Sequence, residues 1–462
     1  MIRRFFIAGL FFLLVACAGT QAKTDNVIHS TADQAVLSIY LGTAGFSDRQ
    51  VSVRLEEVAV NVDNVWIALD IAPVDISLAE LKKQRLLLGA AVAPLGEHRE
   101  LRLSFSSVPV DVGGEEDGKQ QFYLKLPEPL TLNAGDSKCL FVDWQLANAE
   151  PGSPKVLSKF SVWGQRQVLG GELLYVACTN INTIYVVRID TNEVVSAFGV
   201  AGPLADIQLD NGQRRLYILS RGRRSIYVYD CLNERLIDQI PLTASVDPQH
   251  LVLSRDSGYA YVSDPAAGAV FKVDLDAGNV LLQGRIGHRP EHLLEIADHS
   301  SLAVSSPASN QVYLLDTQSL QVKRVLPVGL APAGLMFFDD SLYVAETGSQ
   351  SVAVFDLQSG KQLAKISVGI KPDTLLSVDS RTAYVSNSGE ATLTALSAGQ
   401  NIAFRRVGPI ADPHGMVYST RKRMLYVESR KENRVAVVDV GSERVLASVA
   451  IGSAPSSLAI LE

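Results

Sequence analysis

Apolar and polar positions follow a repeating pattern from residue 173 to the C-terminus. A phrase of three apolar residues recurs seven times, and its centres lie 42, 44, 42, 40, 41 and 42 residues apart. The seven phrases are Leu174-Tyr175-Val176, Leu216-Tyr217-Ile218, Ala260-Tyr261-Val262, Leu302-Ala303-Val304, Leu342-Tyr343-Val344, Ala383-Tyr384-Val385 and Leu425-Tyr426-Val427. Within the repeats, short runs alternate between apolar and polar residues, which predicts four β-strands per repeat.

Two further markers keep the same period. An aspartate closes the third run of six repeats, and Ser397 stands in its place in the sixth repeat; the six are Asp190, Asp230, Asp274, Asp316, Asp356 and Asp439. A proline precedes the innermost run each time, at Pro203, Pro248, Pro290, Pro332, Pro372, Pro413 and Pro455. We expect the aspartate to accept hydrogen bonds from the following turn, and the proline to lie where no ladder donor is needed.

These repeats predict a seven-bladed β-propeller over residues 173–462, because four strands in about 42 residues is the size of one blade. The first repeat lacks an innermost strand, whereas the chain ends with one, Leu458-Ala459-Ile460-Leu461. We therefore expect the C-terminal strand to complete the first blade and to close the ring, which leaves no free sheet edge.

The residues before the repeats predict a second, smaller domain. Strand-like alternation at 35–41, 50–62, 65–71, 100–105, 121–126 and 139–146, with a helical stretch at 78–86, predicts a β-sandwich over 33–160 and a linker at 161–172. The fold class is therefore all-β, a seven-bladed propeller preceded by a smaller sandwich. We interpret the three tryptophans, Trp66, Trp144 and Trp163, as core and interdomain packing rather than as sugar-stacking groups.

Residues 1–16 are typical of a bacterial export signal. Two arginines precede an apolar stretch, Phe5–Ala16, that is too short to span a bilayer comfortably. The run Leu14-Val15-Ala16-Cys17 resembles the bacterial lipobox. That resemblance implies a lipidated Cys17 that anchors the chain to the membrane, a tether at 17–32, and a location at the outer membrane facing the periplasm. The alternative is an ordinary signal peptide, cleaved near Ala22, that releases a soluble protein.

The repeats resemble the YVTN family of β-propeller proteins over residues 173–461. The phrases LYVACTNINTIYVVRID, LYVAETGSQSVAVFDLQSGK and LYVESRKENRVAVVDV carry the resemblance, and the chain departs from it at Ala303 and through 388–404. The resemblance implies the fold and often a surface or periplasmic setting, but no single chemistry. The N-terminal part resembles a bacterial lipoprotein sandwich domain of unknown function, on NVWIALDIAPVDI, LGEHRELRLSF and LPEPLTLNAGDSKCLFVDW.

Charge and cysteine spacing exclude several classes of protein. The net charge is −7 and no long block of like charge occurs, so we expect no nucleic-acid partner. Cys139, Cys178 and Cys231 form no CxxC or CxxCH motif, which argues against a metal ribbon and against attached haem, and we expect three buried, unpaired thiols. No nucleophile elbow, HExxH motif or phosphate-binding loop occurs in a usable context.

The loops that enter the innermost strands converge at the channel mouth, where propellers bind ligands. Six titratable residues fall in these loops: Asp206, His250, Glu291, His292, Asp373 and His414. Asp206, His250 and His292 share one position in neighbouring blades, and two imidazoles with a carboxylate would suit a divalent metal. These three are therefore candidate metal ligands, and no other cofactor is expected. A polar ligand or peptide pocket and ordinary solvated loops are the alternatives.

The sequence thus predicts a membrane-anchored envelope lipoprotein that acts as a non-enzymatic binding or scaffold module, with an envelope protein or a glycan as its partner. A lactonase- or lyase-like enzyme, or a metal or small-molecule binder at the channel mouth, is the alternative. Basic residues mark the last repeat, and we interpret them as solvated turns; they are Arg421, Lys422, Arg423, Arg430, Lys431 and Arg434.

Overall fold

A computed structural model describes residues 33–43, 52–81, 84–106, 114–116, 119–148, 156–168, 170–296 and 300–462. The chain is built almost entirely of strands within these ranges, which confirms the all-β fold class. The predicted signal, Cys17 and the tether lie outside the described residues. None of the helices in the described ranges has the length and apolar character needed to cross a bilayer.

The N-terminal unit consists of two sheets that pack face to face. Its strands are β1 (Ala35–Thr43), β2 (Ser52–Val62), β3 (Val65–Ala68), β4 (Val74–Ser77), β5 (Leu86–Ala93), β6 (Gly96–Ser106), β7 (Gly114–Glu116), β8 (Lys119–Leu132), β9 (Ser137–Asn148) and β10 (Val156–Gly164). One sheet has the order β10-β9-β1-β5, and the other has the order β3-β2-β6-β8-β7, with β4 paired to β2. The apolar faces of both sheets form one core, which gives the predicted sandwich.

Three expectations for this unit change at particular residues. The predicted helix at 78–86 covers only α1 (Leu78–Leu81), because Leu86 already belongs to β5 and pairs with Leu41 of β1. The last strand continues to Gly164, past the expected end of the sandwich at residue 160. Trp66 lies outside the core, with Arg102 5.1 Å from its ring and Tyr123 edge-on at 5.5 Å.

Trp144 and Trp163 do occupy packed positions. Trp144 is fully buried in the sandwich core, where its Nε1 donates a hydrogen bond to Ser158 Oγ at 3.1 Å. Trp163 stacks against Phe141 at 6.4 Å, beside the propeller. The packing interpretation therefore fits these two tryptophans but not Trp66.

Seven four-stranded sheets form the propeller. In chain order its strands are β11 (Leu173–Cys178), β12 (Thr183–Arg188), β13 (Glu193–Gly199), β14 (Leu204–Asp210), β15 (Arg215–Ser220), β16 (Ser225–Asp230), β17 (Arg235–Pro241), β18 (His250–Leu253), β19 (Tyr259–Asp264), β20 (Ala269–Asp274), β21 (Asn279–Arg285), β22 (Leu293–Ile296), β23 (Ser301–Ser306), β24 (Gln311–Asp316), β25 (Val322–Pro327), β26 (Pro332–Phe338), β27 (Ser341–Glu346), β28 (Ser351–Asp356), β29 (Gln362–Ser367), β30 (Pro372–Ser377), β31 (Thr382–Asn387), β32 (Thr392–Ser397), β33 (Ile402–Val407), β34 (Pro413–Ser419), β35 (Met424–Ser429), β36 (Arg434–Asp439), β37 (Arg444–Ala450) and β38 (Pro455–Leu461).

The ring closes through the C-terminal strand, as predicted. Blade 1 has the order β38-β11-β12-β13, so its innermost strand comes from the end of the chain, and Tyr175 pairs with Ala459. Blades 2 to 7 are consecutive groups of four strands, from β14–β17 to β34–β37. The repeated tyrosines of β11, β15, β19, β27, β31 and β35 are fully buried and pack between neighbouring blades.

The aspartate at the end of the third strand caps the next turn. In blade 4, Asp316 Oδ1 accepts hydrogen bonds from the backbone amides of Ser319 and Gln318, at 2.9 and 3.1 Å. The Ser319 amide and the Lys323 ammonium lower the pKa of the Asp316 carboxyl to about 2. In blade 6, Ser397 Oγ donates to Gln400 Oε1 at 3.1 Å, so the turn keeps a side-chain contact without a carboxylate.

The sandwich packs against blade 1 at its mouth end, where the innermost strand begins. Cys178 pairs with Pro455 at the start of β38 and with Thr183 in β12. The Thr183 hydroxyl lies 2.7 Å from Ser137 Oγ of the sandwich, and the Tyr185 hydroxyl lies 2.7 Å from Ser38 Oγ. Apolar side chains of both units form one buried cluster around these bonds, so the interface resembles a core rather than a hinge.

Candidate functional site

The innermost strands surround a channel with a volume of about 1110 Å³. Side chains from all seven blades line it, and they become more polar toward the end where the innermost strands begin. Val252, Leu376 and Val417 line the deeper part. The same cavity is lined by five of the predicted residues, which belong to blades 2, 3, 4 and 6: Asp206, His250, Glu291, His292 and Asp373. The structure thus brings five of the six predicted residues to one mouth.

Asp206 holds three innermost strands together. Its Oδ1 accepts hydrogen bonds from its neighbour's amide, Ile207 N, at 2.9 Å and from Ser457 Oγ of blade 1 at 2.6 Å. Its Oδ2 accepts a hydrogen bond from the Leu251 amide of blade 3 at 2.8 Å. Both carboxylate oxygens therefore accept hydrogen bonds from the protein itself, so this buried acid stabilises the fold.

His250 and His292 form an imidazole pair beside Asp206. Their ring centres lie 5.2 Å apart, and His250 Nε2 lies 3.6 Å from Asp206 Oδ2. His250 Nδ1 is buried and has no hydrogen-bond partner among the described residues. Burial and the neighbouring His250 lower the pKa of His292, and the carboxylates Asp373, Glu291 and Asp206 oppose that shift only in part. His292 is therefore a neutral ring at neutral pH.

His414 lies on the other side of the mouth, between two carboxylates. Its Nδ1 lies 3.0 Å from Asp373 Oδ2 and its Nε2 lies 3.1 Å from Asp412 Oδ1. Burial alone would lower the pKa of His414, but the hydrogen bond and the charge of Asp373 outweigh it and raise the pKa. A ring whose two nitrogens both donate to carboxylates is an imidazolium.

The pKa of Asp373 shifts in the opposite direction. Burial raises the pKa of this carboxyl, but the His414 hydrogen bond and the interactions with His292, His414 and Arg430 outweigh burial. The pKa therefore lies well below its ordinary value. Thr374 Oγ1 also donates to Asp373 Oδ2, at 3.2 Å. Asp373 is an ionised carboxylate that holds a charged imidazole at the cavity wall.

Sequence reasoning missed Glu428 and misjudged Arg430. Both line the cavity, and Arg430 Nε donates to Glu428 Oε2 at 3.1 Å, so Arg430 is part of the mouth rather than a solvated turn. Burial raises the pKa of the fully buried Glu428, and the Arg430 charge opposes the shift. Glu428 Oε1 lies tight against Gly415, with no hydrogen bond of ordinary geometry from any described residue.

A comparison of the repeats position by position could have found Glu428. In two other blades the equivalent residue is a serine. Ser305 Oγ accepts a hydrogen bond from the His292 amide at 3.2 Å, and Ser386 Oγ accepts one from the Thr374 amide at 3.0 Å. A carboxylate at this position in one blade alone is the exception that marks the site. Gly415 makes room for it, because a Cβ there would overlap the carboxylate.

The predicted metal site is not supported by the geometry. The described residues contain no group of three His, Cys, Asp or Glu side chains arranged to hold a metal ion. Asp206, His250 and His292 do lie together, but the Asp206 oxygens already accept backbone and hydroxyl donors. The three cysteines after Cys17 are buried and unpaired, as expected, and burial raises the thiol pKa of each.

Comparison with known proteins identifies the fold and no family. No protein-family model matches the sequence, and no curated protein matches it. A functionally unknown protein from Desulfotomaculum acetoxidans aligns with a TM-score of 0.56 and 13% identity, over 63% of this chain and 99% of its own. Kuenenia stuttgartiensis hydrazine synthase aligns with a TM-score of 0.49 and 16% identity, over 55% of this chain and 89% of its own. The dihydro-heme d1 dehydrogenase NirN aligns with a TM-score of 0.49 and 14% identity, over 62% of this chain and 65% of its own.

Proposed function

We propose that this chain is a non-enzymatic binding protein of the cell envelope whose ligand enters the mouth of the propeller channel. Lipid attachment at Cys17 and membership of the YVTN family are parts of the proposal. They rest on the Leu14-Val15-Ala16-Cys17 run and on the repeat phrases. The outer membrane, facing the periplasm, is the corresponding location.

The observation that carries the proposal is the convergence of buried polar groups on one cavity. Blades 2, 3, 4, 6 and 7 each contribute a titratable side chain to the mouth. One buried polar atom there, His250 Nδ1, has no hydrogen-bond partner among the described residues, and Glu428 Oε1 lies against Gly415 without a hydrogen bond of ordinary geometry. Buried polar groups are normally satisfied, so an unpaired group at a cavity favours a ligand that supplies the missing partner.

Ligand binding can be tested through Asp373. Purified full-length protein would be screened by thermal shift against amino acids, sugars, short peptides and divalent metal chlorides. A compound that raises the melting temperature of the wild type and of Asp238→Asn, but not of Asp373→Asn, supports the proposal. Asp238 is the matched control because it is an exposed carboxylate on the outer strand β17. A compound that stabilises all three proteins equally would contradict binding at the mouth.

A lactonase- or lyase-like enzyme is the second candidate, and His250 is the observation that favours it. Its Nε2 faces Asp206 Oδ2 at 3.6 Å while Nδ1 has no partner in the described structure. An imidazole that lies beside a carboxylate and keeps one nitrogen uncommitted can act as a general base. Turnover of γ- or δ-lactones by the wild type and its loss in His250→Ala would favour this candidate over simple binding.

A further inference from the structure

Seven equivalent residues lie in the loops that enter the innermost strands, each two positions before the proline that precedes or begins the strand. We call them the rim positions; they are Ala201, Val246, His288, Leu330, Ile370, Ala411 and Ser453. In blades 3, 5 and 6 the rim position carries a bulky aliphatic side chain in solvent. Val246 is 60% exposed, Leu330 58% and Ile370 43%. The neighbouring blades 5 and 6 thus place two exposed aliphatic side chains at one structural position, and Val246 of blade 3 adds a third.

The rim side chains of blades 5 and 6 are held rigidly. A Cβ at Gly348 would lie 2.8 Å from Leu330 Cβ, and a Cβ at Gly389 would lie 2.5 Å from Ile370 Cγ2. The hairpin that follows β27 or β31 therefore packs directly beneath each rim residue. The Leu330 amide also donates to Ser349 Oγ at 2.9 Å. Because these loops are already ordered, docking on them costs little conformational entropy.

One rim position is already covered by another protein surface, the chain's own sandwich. Ser453 in blade 1 is buried, and its neighbour Gly452 lies so close to the sandwich that a Cβ there would stand 2.8 Å from Ala90 Cβ. The blade 1 sector of the rim is thus a packed protein interface. Blades 3, 5 and 6 continue the same ring with aliphatic side chains that no described residue covers.

The cavity inside the rim has an excess of carboxyl groups. Five acidic residues and three arginines occur among the described residues that line it. The arginines pair within the wall, as Arg221 with Asp247 at 2.9 Å, Arg289 with Glu291 at 3.7 Å, and Arg430 with Glu428 at 3.1 Å. Asp206 forms no ion pair with any arginine of the described structure, and Asp373 pairs with the imidazolium of His414, whose other nitrogen contacts Asp412 at 3.1 Å. With His414 and Asp412 included, six carboxyl groups face four positively charged side chains, an excess of two. Such a mouth attracts a cation.

We propose that a protein partner docks on this rim, covers Leu330 and Ile370, and inserts a lysine or arginine side chain into the channel mouth. The inference rests on the proposed function and names the class of its ligand. Leu330 and Ile370 are not among the residues that line the cavity, so a small molecule held inside it would not cover them. A polypeptide segment reaches both the rim and the cavity, and its apolar residues match the rim while its basic residue matches the carboxylates.

Selection from a random twelve-residue peptide phage library on the full-length protein would test the inference. The expected peptides carry a lysine or arginine between apolar residues. Their affinity should fall about tenfold or more in the double variant Leu330→Asp/Ile370→Asp, since a few buried contacts carry most of the binding energy of an interface. Leu363→Asp/Ile402→Asp is the matched control, because these residues are 57% and 50% exposed on outer strands away from the mouth; it should leave binding unchanged.

Several outcomes would overturn the inference. Enriched peptides without a basic residue, equal loss in both double variants, or no enrichment at all would each do so. A wild-type dimer that Leu330→Asp/Ile370→Asp converts to a monomer would assign the rim to a second copy of this chain. If a small compound binds through Asp373 and ignores the rim variants, the proposed function stands and this inference fails.

Discussion

On one side of the channel mouth, the Asp206 carboxylate accepts hydrogen bonds from two backbone amides and from Ser457. On the other side, the Asp373 carboxylate faces the ring of His414 at 3.0 Å. Both aspartates enter the mouth from the start of an innermost strand, and both have a histidine nearby. Asp206 joins three strands of blades 1, 2 and 3, whereas Asp373 holds a positive charge. The difference shows that similar residues at related positions can serve structure on one side and electrostatics on the other.

Replacing Asp206 should have the largest effect. Asp206→Ala leaves the Leu251 and Ile207 amides and the Ser457 hydroxyl without their acceptor in a buried place. We expect the free energy of unfolding to fall by about 3 kcal/mol. Urea unfolding would measure it. Asp373→Asn is the control and should lose less than half as much, so equal losses in the two variants would break the comparison.

His414 should make the free energy of unfolding depend on pH. The raised pKa of His414 means that its contribution to stability is complete below about pH 6.5 and is lost as the pH rises through the higher folded-state pKa. The stability advantage of the wild type over His414→Gln should therefore shrink from neutral toward alkaline pH. Urea midpoints between about pH 5 and 9 would measure it. The charged groups that face His414 are Asp373, Asp412 and Arg430.

The His292 side should give a smaller dependence of the opposite sign. The pKa of His292 is lowered, so the unfolded chain takes up the proton first and the wild type loses stability as the pH falls below about 6.5. His292→Gln should remove this loss. In the same series of urea midpoints, His414→Gln should gain stability relative to the wild type toward alkaline pH, whereas His292→Gln should gain it toward acidic pH. Parallel curves for the two variants would mean that the two sides of the mouth do not differ electrostatically.

The repeats predicted most of the fold because each blade is a local unit. The four strands of blades 2 to 7 are consecutive in sequence. The period of the tyrosine phrase and the aspartates that cap turns, such as Asp316, therefore predict which strands pair in each sheet. Predictions from the local sequence pattern were wrong where contacts distant in sequence decided the structure of a segment. Leu86 belongs to a strand rather than to the predicted helix, because β1 offers a partner far away in sequence. Trp66 lies outside the core for a similar reason, since its strand is at the edge of its sheet.

The candidate site was predicted in part. The loops before the innermost strands identified Asp206, His250, Glu291, His292 and Asp373 as residues of the mouth, and the structure places them around one cavity. Glu428 was missed and Arg430 was misjudged because they lie near the end of the second strand of blade 7 and just after it, and not in an innermost loop. The candidate metal site at Asp206, His250 and His292 is not supported, because the Asp206 oxygens already accept hydrogen bonds from protein donors.

The sequence by itself determined the number of blades, the closure by the last strand and the loops that form the mouth, since these follow from periodicity along the chain. Tertiary structure alone decided what each titratable group does there. Asp206 meets Ser457, which is 251 residues away, and His414 meets Asp373 across 41 residues. Contacts between blades set burial, hydrogen bonding and charge, and no periodic pattern within a single repeat contains them.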